Sequence, residues 1–67
     1  MKLQYDAKTD ALYVRLADVP VAESQELHPG VILDYDDQGR VVGVEILNVK
    51  RQLPNADVTT MQLDLAS

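Results

Sequence analysis

Apolar and polar residues alternate with a period of two along most of the chain, the period of a β-strand, and turn chemistry interrupts the alternation at short intervals. Lys2 to Tyr5 predicts a first short strand. Asp6-Ala7-Lys8-Thr9-Asp10 follows as a tight turn, with an aspartate at each end to accept hydrogen bonds from nearby backbone N–H groups. From Ala11 to Leu16, Leu12, Val14 and Leu16 alternate with Ala11, Tyr13 and Arg15, which completes a hairpin. Ala17-Asp18-Val19-Pro20 ends the pattern, because Pro20 has no N–H donor and restricts Val19 to extended geometry. Glu23 to His28 is a polar run between turn signals, expected as an edge strand whose charge opposes edge-to-edge aggregation.

Pro29-Gly30 reverses the chain into the best-defined object in the sequence, an antiparallel hairpin from Val31 to Leu47. A four-residue loop, Asp36-Asp37-Gln38-Gly39, is expected on a type I turn with Gly39 as its left-handed residue. That loop sets Tyr35 opposite Arg40, Leu33 opposite Val42 and Val31 opposite Val44, whereas a three-residue loop would set Asp34 opposite Val42. One face then carries Val31, Leu33, Tyr35, Val42, Val44 and Ile46; the other carries Ile32, Asp34, Val41, Gly43, Glu45 and Leu47, which is mixed. Asn48 to Leu53 predicts a helical turn stopped by Pro54, and Thr59, Met61, Leu63 and Leu65 alternate as a last strand. The expected class is mainly β, or α+β if the helical turn is counted: an antiparallel meander of hairpins with a short helical turn after the Val31–Leu47 hairpin. Residues 1–67 are expected to form a single domain, with a family-like core over 2–53 and 54–67 as a C-terminal extension.

Size and charge narrow the function. At 67 residues without cysteine, the chain buries a thin core and has no disulfide or thiolate metal site to staple it. A homodimer is therefore expected. The acidic balance, net charge −5, repels phosphate backbones and excludes nucleic acid as the expected partner, while it suits a basic protein. MKLQYDAKTD has no apolar signal-peptide core and no run is long enough for a transmembrane helix, so no membrane is expected and the compartment is expected to be cytoplasmic.

Three sets of residues invite a chemical reading. DYDDQGRVVGVE, starting at Asp34, approaches the EF-hand calcium loop, with Asp34, Asp36 and Glu45 at its first, third and twelfth positions. Its flanks are strands rather than helices, so an Asp-rich turn explains it better; weak calcium binding at Asp36 and Asp37 is the residual expectation. Tyr13, Arg15, Asp34 and Glu45 fit one sheet face, either as paired carboxylates with a cation or as a solvated cross-strand ion pair. His28 completes a candidate polar site of Arg15, His28, Asp34 and Glu45, with Glu26 to orient the imidazole if it acts as a base. No catalytic residue is assigned and no cofactor is expected, since the chain has neither a Gly-x-Ser-x-Gly elbow nor a phosphate-cradling glycine loop.

Tyr5-Asp6 with Asp10-Ala11-Leu12-Tyr13, then Pro29-Gly30-Val31, Asp34, Asp36, Gly39 and the run from Val42 to Leu47, resemble the prokaryotic family called domain of unknown function 2283. The resemblance spans residues 2 to about 53. It implies a compact β-rich protein without assigned catalytic residues, and an accessory or antitoxin-like role beside another small protein. The expected function is a non-enzymatic interaction module; the alternative is a small enzyme or ligand-binding protein with its site at a dimer interface.

Overall fold

A computed structural model gives the fold and describes residues 1–58. Five strands, β1 (Lys2–Asp6), β2 (Ala11–Arg15), β3 (Glu23–His28), β4 (Val31–Tyr35) and β5 (Val41–Ile46), precede one short helix, α1 (Val49–Gln52). All pairings are antiparallel, in a single sheet of order β1-β2-β5-β4-β3. The protein is thus mainly β with a meander-like order, as the alternation predicts. Strands β3, β4 and β5 follow one another in the sheet, but the β1–β2 hairpin joins along β5. Residues 16–22 therefore carry the chain past the ends of β5 and β4 to reach β3. Backbone bonds hold this crossing: Leu16 and Ala17 donate N–H to the Val42 carbonyl at 2.9 and 3.3 Å, and Ala22 donates to Tyr35 O at 2.8 Å. Among the described residues, no helix is long and apolar enough to cross a membrane. The last strand expected from Thr59, Met61, Leu63 and Leu65 lies outside the described residues.

The register of the β4–β5 hairpin corrects the expected one. Asp36 and Arg40 face each other across a three-residue loop: the Asp36 N–H donates to Arg40 O at 2.9 Å, and the Gly39 N–H closes a turn onto Asp36 O at 3.1 Å. Gly39 does take the left-handed conformation, φ +79°, which an L side chain resists. Continued regularly, this loop would set Asp34 opposite Val42 and mismatch the apolar faces. A β-bulge prevents that. Tyr35 pairs with Val41 and Asp34 with Gly43, so Val42 is the extra residue, and beyond it Leu33 faces Val44, Ile32 faces Glu45 and Val31 faces Ile46. The face assignments of Val31, Leu33, Val44 and Ile46 stand although every expected pair is displaced, because a turn of one parity and a bulge of one residue restore the alternation. Periodicity in a sequence reports which residues share a face, and it is blind to a compensated shift of partner.

Across the whole sheet the register separates two faces. Leu3, Leu12, Val14, Val31, Leu33, Val44 and Ile46 form the apolar face, while Gln4, Tyr13, Glu45, Ile32 and Glu26 form one row of the other, next to a row of Lys2, Arg15, Gly43, Asp34 and Ser24. Little of the apolar face is closed. Among the described apolar residues only Val42 and Val49 are buried, at 3% and 2% exposure, and Leu3 remains 42% exposed.

Helix α1 is held from the far end of the chain. Its own cap residue, Asn48, lies in the left-handed region and makes no side-chain cap bond. Asp10 supplies the missing acceptors instead: its carbonyl takes the Val49 N–H at 3.1 Å, and its Oδ2 takes the Lys50 N–H at 3.1 Å. Free N–H groups at a helix start need such oxygens. Asp10 sits at φ +55°, a conformation aspartate tolerates better than most side chains, and its Oδ1 accepts the Tyr5 hydroxyl at 2.6 Å. Gln52 ties the other end, donating from Nε2 to Leu47 O at 2.5 Å and to Gly30 O at 3.2 Å.

Candidate functional site

The mixed face concentrates its chemistry on Asp34, near the centre of β4 and only 5% exposed. Burial of a carboxylate needs donors, and two hydroxyls provide them. Ser24 on β3 donates Oγ to Oδ1 at 2.6 Å, and Tyr13 on β2 donates Oη to Oδ2 at 3.0 Å. Ser24 stands directly opposite Asp34, but Tyr13 stands opposite Glu45, two strands away from β4. Its ring reaches Asp34 only by lying across β5 at Gly43. A methyl group at that position would come 2.8 Å from the Tyr13 hydroxyl, 3.0 Å from its ring edge and 3.1 Å from Asp34 Oδ2. The glycine is therefore the notch that lets a tyrosine span three strands, a use of strand glycine as a point of close approach.

The surroundings of the Tyr13 hydroxyl favour a held proton. Burial raises the Tyr13 pKa, and the carboxylate it donates to raises it further, so the phenol stays protonated as a donor. Both Asp34 oxygens already accept hydrogen bonds. The arrangement clamps β2, β4 and β3 together through one buried acid.

The other expected site residues are distributed around this clamp. Glu45 shares the face, half-buried, opposite Tyr13 and Ile32. Arg15 lies opposite Gly43 and Lys2, but its guanidinium turns to the following loop, donating Nη2 to Val19 O at 2.7 Å and approaching Asp18 at 3.7 Å. The expected cross-strand pairing of Arg15 with Asp34 or Glu45 is thus replaced by a local one. His28 is exposed at the end of β3, past a bulge at Glu26/His28 that sets it opposite Val31, in the apolar row. Asp34, Glu45 and Arg15 therefore share a face, and His28 does not join them. Two shallow hollows on this face, of about 530 and 170 Å³, are lined by Met1, Lys2, Arg15, Ala17 and Asp18 and by Lys2, Gln4, Tyr13 and Arg15. Neither Asp34 nor Glu45 lines them.

At the turn considered for calcium, Asp36 is 7% exposed and its oxygens are engaged within the hairpin. Oδ1 accepts the Gln38 and Arg40 N–H groups, both at 2.9 Å, and Oδ2 accepts Arg40 Nε at 2.8 Å. Those bonds, with the Arg40 N–H first among them, hold its carboxyl below the usual aspartate range. Among the described residues no three His, Cys, Asp or Glu side chains gather as metal ligands. Sequence reasoning singled out Tyr13 and Asp34 but missed Gly43, whose signal was a glycine inside an otherwise β-branched run. It also missed the Tyr5–Asp10–Lys50 link, for which no local signal exists.

Fold and cluster together define a small antiparallel β protein with a buried carboxylate held by two hydroxyls. The family described as protein of unknown function (DUF2283) matches residues 2–50 of the 67, and the chain belongs to it. Comparison with curated proteins and with solved structures returns no match. The residues that carried the resemblance have physical roles here: Tyr5 and Asp10 anchor the helix, Tyr13 and Asp34 clamp the sheet, and Asp36 and Gly39 shape the turn.

Proposed function

We propose that this protein is a non-enzymatic protein-interaction module, a cytoplasmic homodimer assembled through its sheet and an accessory or antitoxin-like partner of another small, basic protein. The observation that carries the reading is the apolar face. A sheet that is apolar on one side gains its stability by covering that side, yet only two apolar residues among those described are buried. Small single-layer domains obtain the missing cover from a second chain. The net charge of −5 supports the basic partner, because complementary charge speeds encounter.

Size-exclusion chromatography with light scattering tests the first part. The expected mass is twice the 7.4 kDa of one chain, and a single-chain mass at every concentration up to millimolar overturns the homodimer. Capture of the neighbouring gene products from the native host tests the second: a basic protein retained at low salt and released at high salt supports it, and retention of none overturns it.

A further inference from the structure

Among the described residues the sheet has two free edges, and they are built differently. The β3 edge is guarded: all six of its residues are exposed, two are glutamates, and a bulge at Glu26/His28 breaks its line. Bulges and charges of this kind discourage pairing with another strand. The β1 edge also carries two charges, but of opposite sign, Lys2 and Asp6, and it has no bulge. Its five residues, Lys2-Leu3-Gln4-Tyr5-Asp6, pair with β2 in unbroken register, and among the described residues no other strand pairs with β1.

We propose that β1 pairs antiparallel with β1 of a second copy about a two-fold axis at Gln4, joining two sheets into one of ten strands. This rests on the homodimer reading for its second copy and adds an edge contact to it; pairing at the edge extends the sheet and leaves the apolar face to be covered separately. The pairing follows from the sequence of the edge itself. Opposed residues in an antiparallel pair share a face, so polar must meet polar and apolar must meet apolar. Centring the axis on Gln4 meets that condition for all five residues. Lys2 then faces Asp6 of the second copy, Leu3 faces Tyr5, and Gln4 faces Gln4, each ion pair and each apolar pair occurring twice by symmetry. Moving the axis to Leu3 or Tyr5 leaves two strand residues unpaired and loses the ion pairs. Within its own chain Lys2 has the like charge of Arg15 directly opposite and no ion pair among the described residues. Leu3, 42% exposed, gains an aromatic neighbour.

The absence of native cysteine makes the test direct. Directly opposed residues have Cα atoms about 4.5–5.5 Å apart, inside the range a disulfide spans. Under mild oxidation Gln4→Cys is expected to cross-link into covalent dimers, and Glu26→Cys on the other edge, on the same face, is expected to stay at background; both sites are exposed, and circular dichroism checks that both variants fold. Lys2→Asp and Asp6→Lys should each raise the dimer dissociation constant about tenfold through two like-charge contacts, and an equimolar mixture of the two should recover the affinity as a heterodimer. A wild-type dimer whose Gln4→Cys variant cross-links no better than Glu26→Cys overturns the β1 pairing and leaves the homodimer standing. A monomeric wild type overturns both.

Discussion

At the β4–β5 turn, Asp36 uses both carboxylate oxygens within five residues, on the N–H groups of Gln38 and Arg40 and on the Arg40 side chain. At the β1–β2 turn the division is different. Asp6 makes the local bond, accepting the Lys8 N–H at 2.9 Å, while Asp10 turns away to Tyr5 and to Lys50, 40 residues further on. One aspartate shapes a loop, and the other joins a hairpin to a helix. The difference lies in backbone geometry: Asp36 begins a turn whose left-handed step falls on Gly39, whereas Asp10 takes the left-handed step itself and so aims its carbonyl and carboxylate at α1.

The largest expected effect follows from this contrast. Asp10→Ala removes the Tyr5 and Lys50 bonds and places alanine at a positive φ, and should lower the Tm by about 10–15 °C. Amide exchange should quicken in α1 and at the β1–β2 turn together; a fall in Tm with α1 still protected would show that Asp10 does not hold the helix. Asp36→Ala should cost less, about 5–10 °C, with faster exchange confined to residues 36–40. Loosening that spreads into α1 would erase the distinction between the two turns. Gly39→Ala, which strains a left-handed position without removing a side-chain bond, should lower the Tm by about 4–8 °C.

The smallest effect is a pH dependence shared by both turns. The Tyr5 hydroxyl and then the Lys50 N–H hold the Asp10 carboxyl below its usual value, and the Arg40 and Gln38 bonds do the same for Asp36. A carboxyl whose folded pKa is lowered contributes stability that is fully present above the unfolded value, about 3.9, and is lost as pH falls through the folded one. The Tm should therefore be flat from about pH 7 to 5 and decline below about pH 4. Asp36→Asn should flatten part of that decline; an unchanged slope in this variant and in Asp10→Asn would separate acid sensitivity from both turns.

Much of this fold is legible residue by residue. The alternation of Leu12, Val14 and Leu16, and of Val31, Leu33, Val44 and Ile46, gave the strands and their apolar faces, and Gly39 gave the turn. Strand partners were not legible in the same way, because the bulge at Val42 cancels the offset of the three-residue loop. Of the candidate site, Tyr13 and Asp34 were recognisable as polar residues on a shared face. Their contact was not, since it depends on Gly43 leaving room between two strands far apart in sequence.

By itself, then, the sequence determined period, turn chemistry, charge and the complementary order of β1, because each depends on residues within a few positions of one another. Tertiary structure alone decided that β5 lies between β2 and β4, that Asp10 caps a helix forty residues away and that Arg15 turns from the acids on its face to Val19. Those outcomes depend on which strands meet, and strand pairing is a contest among distant segments that local periodicity cannot rank.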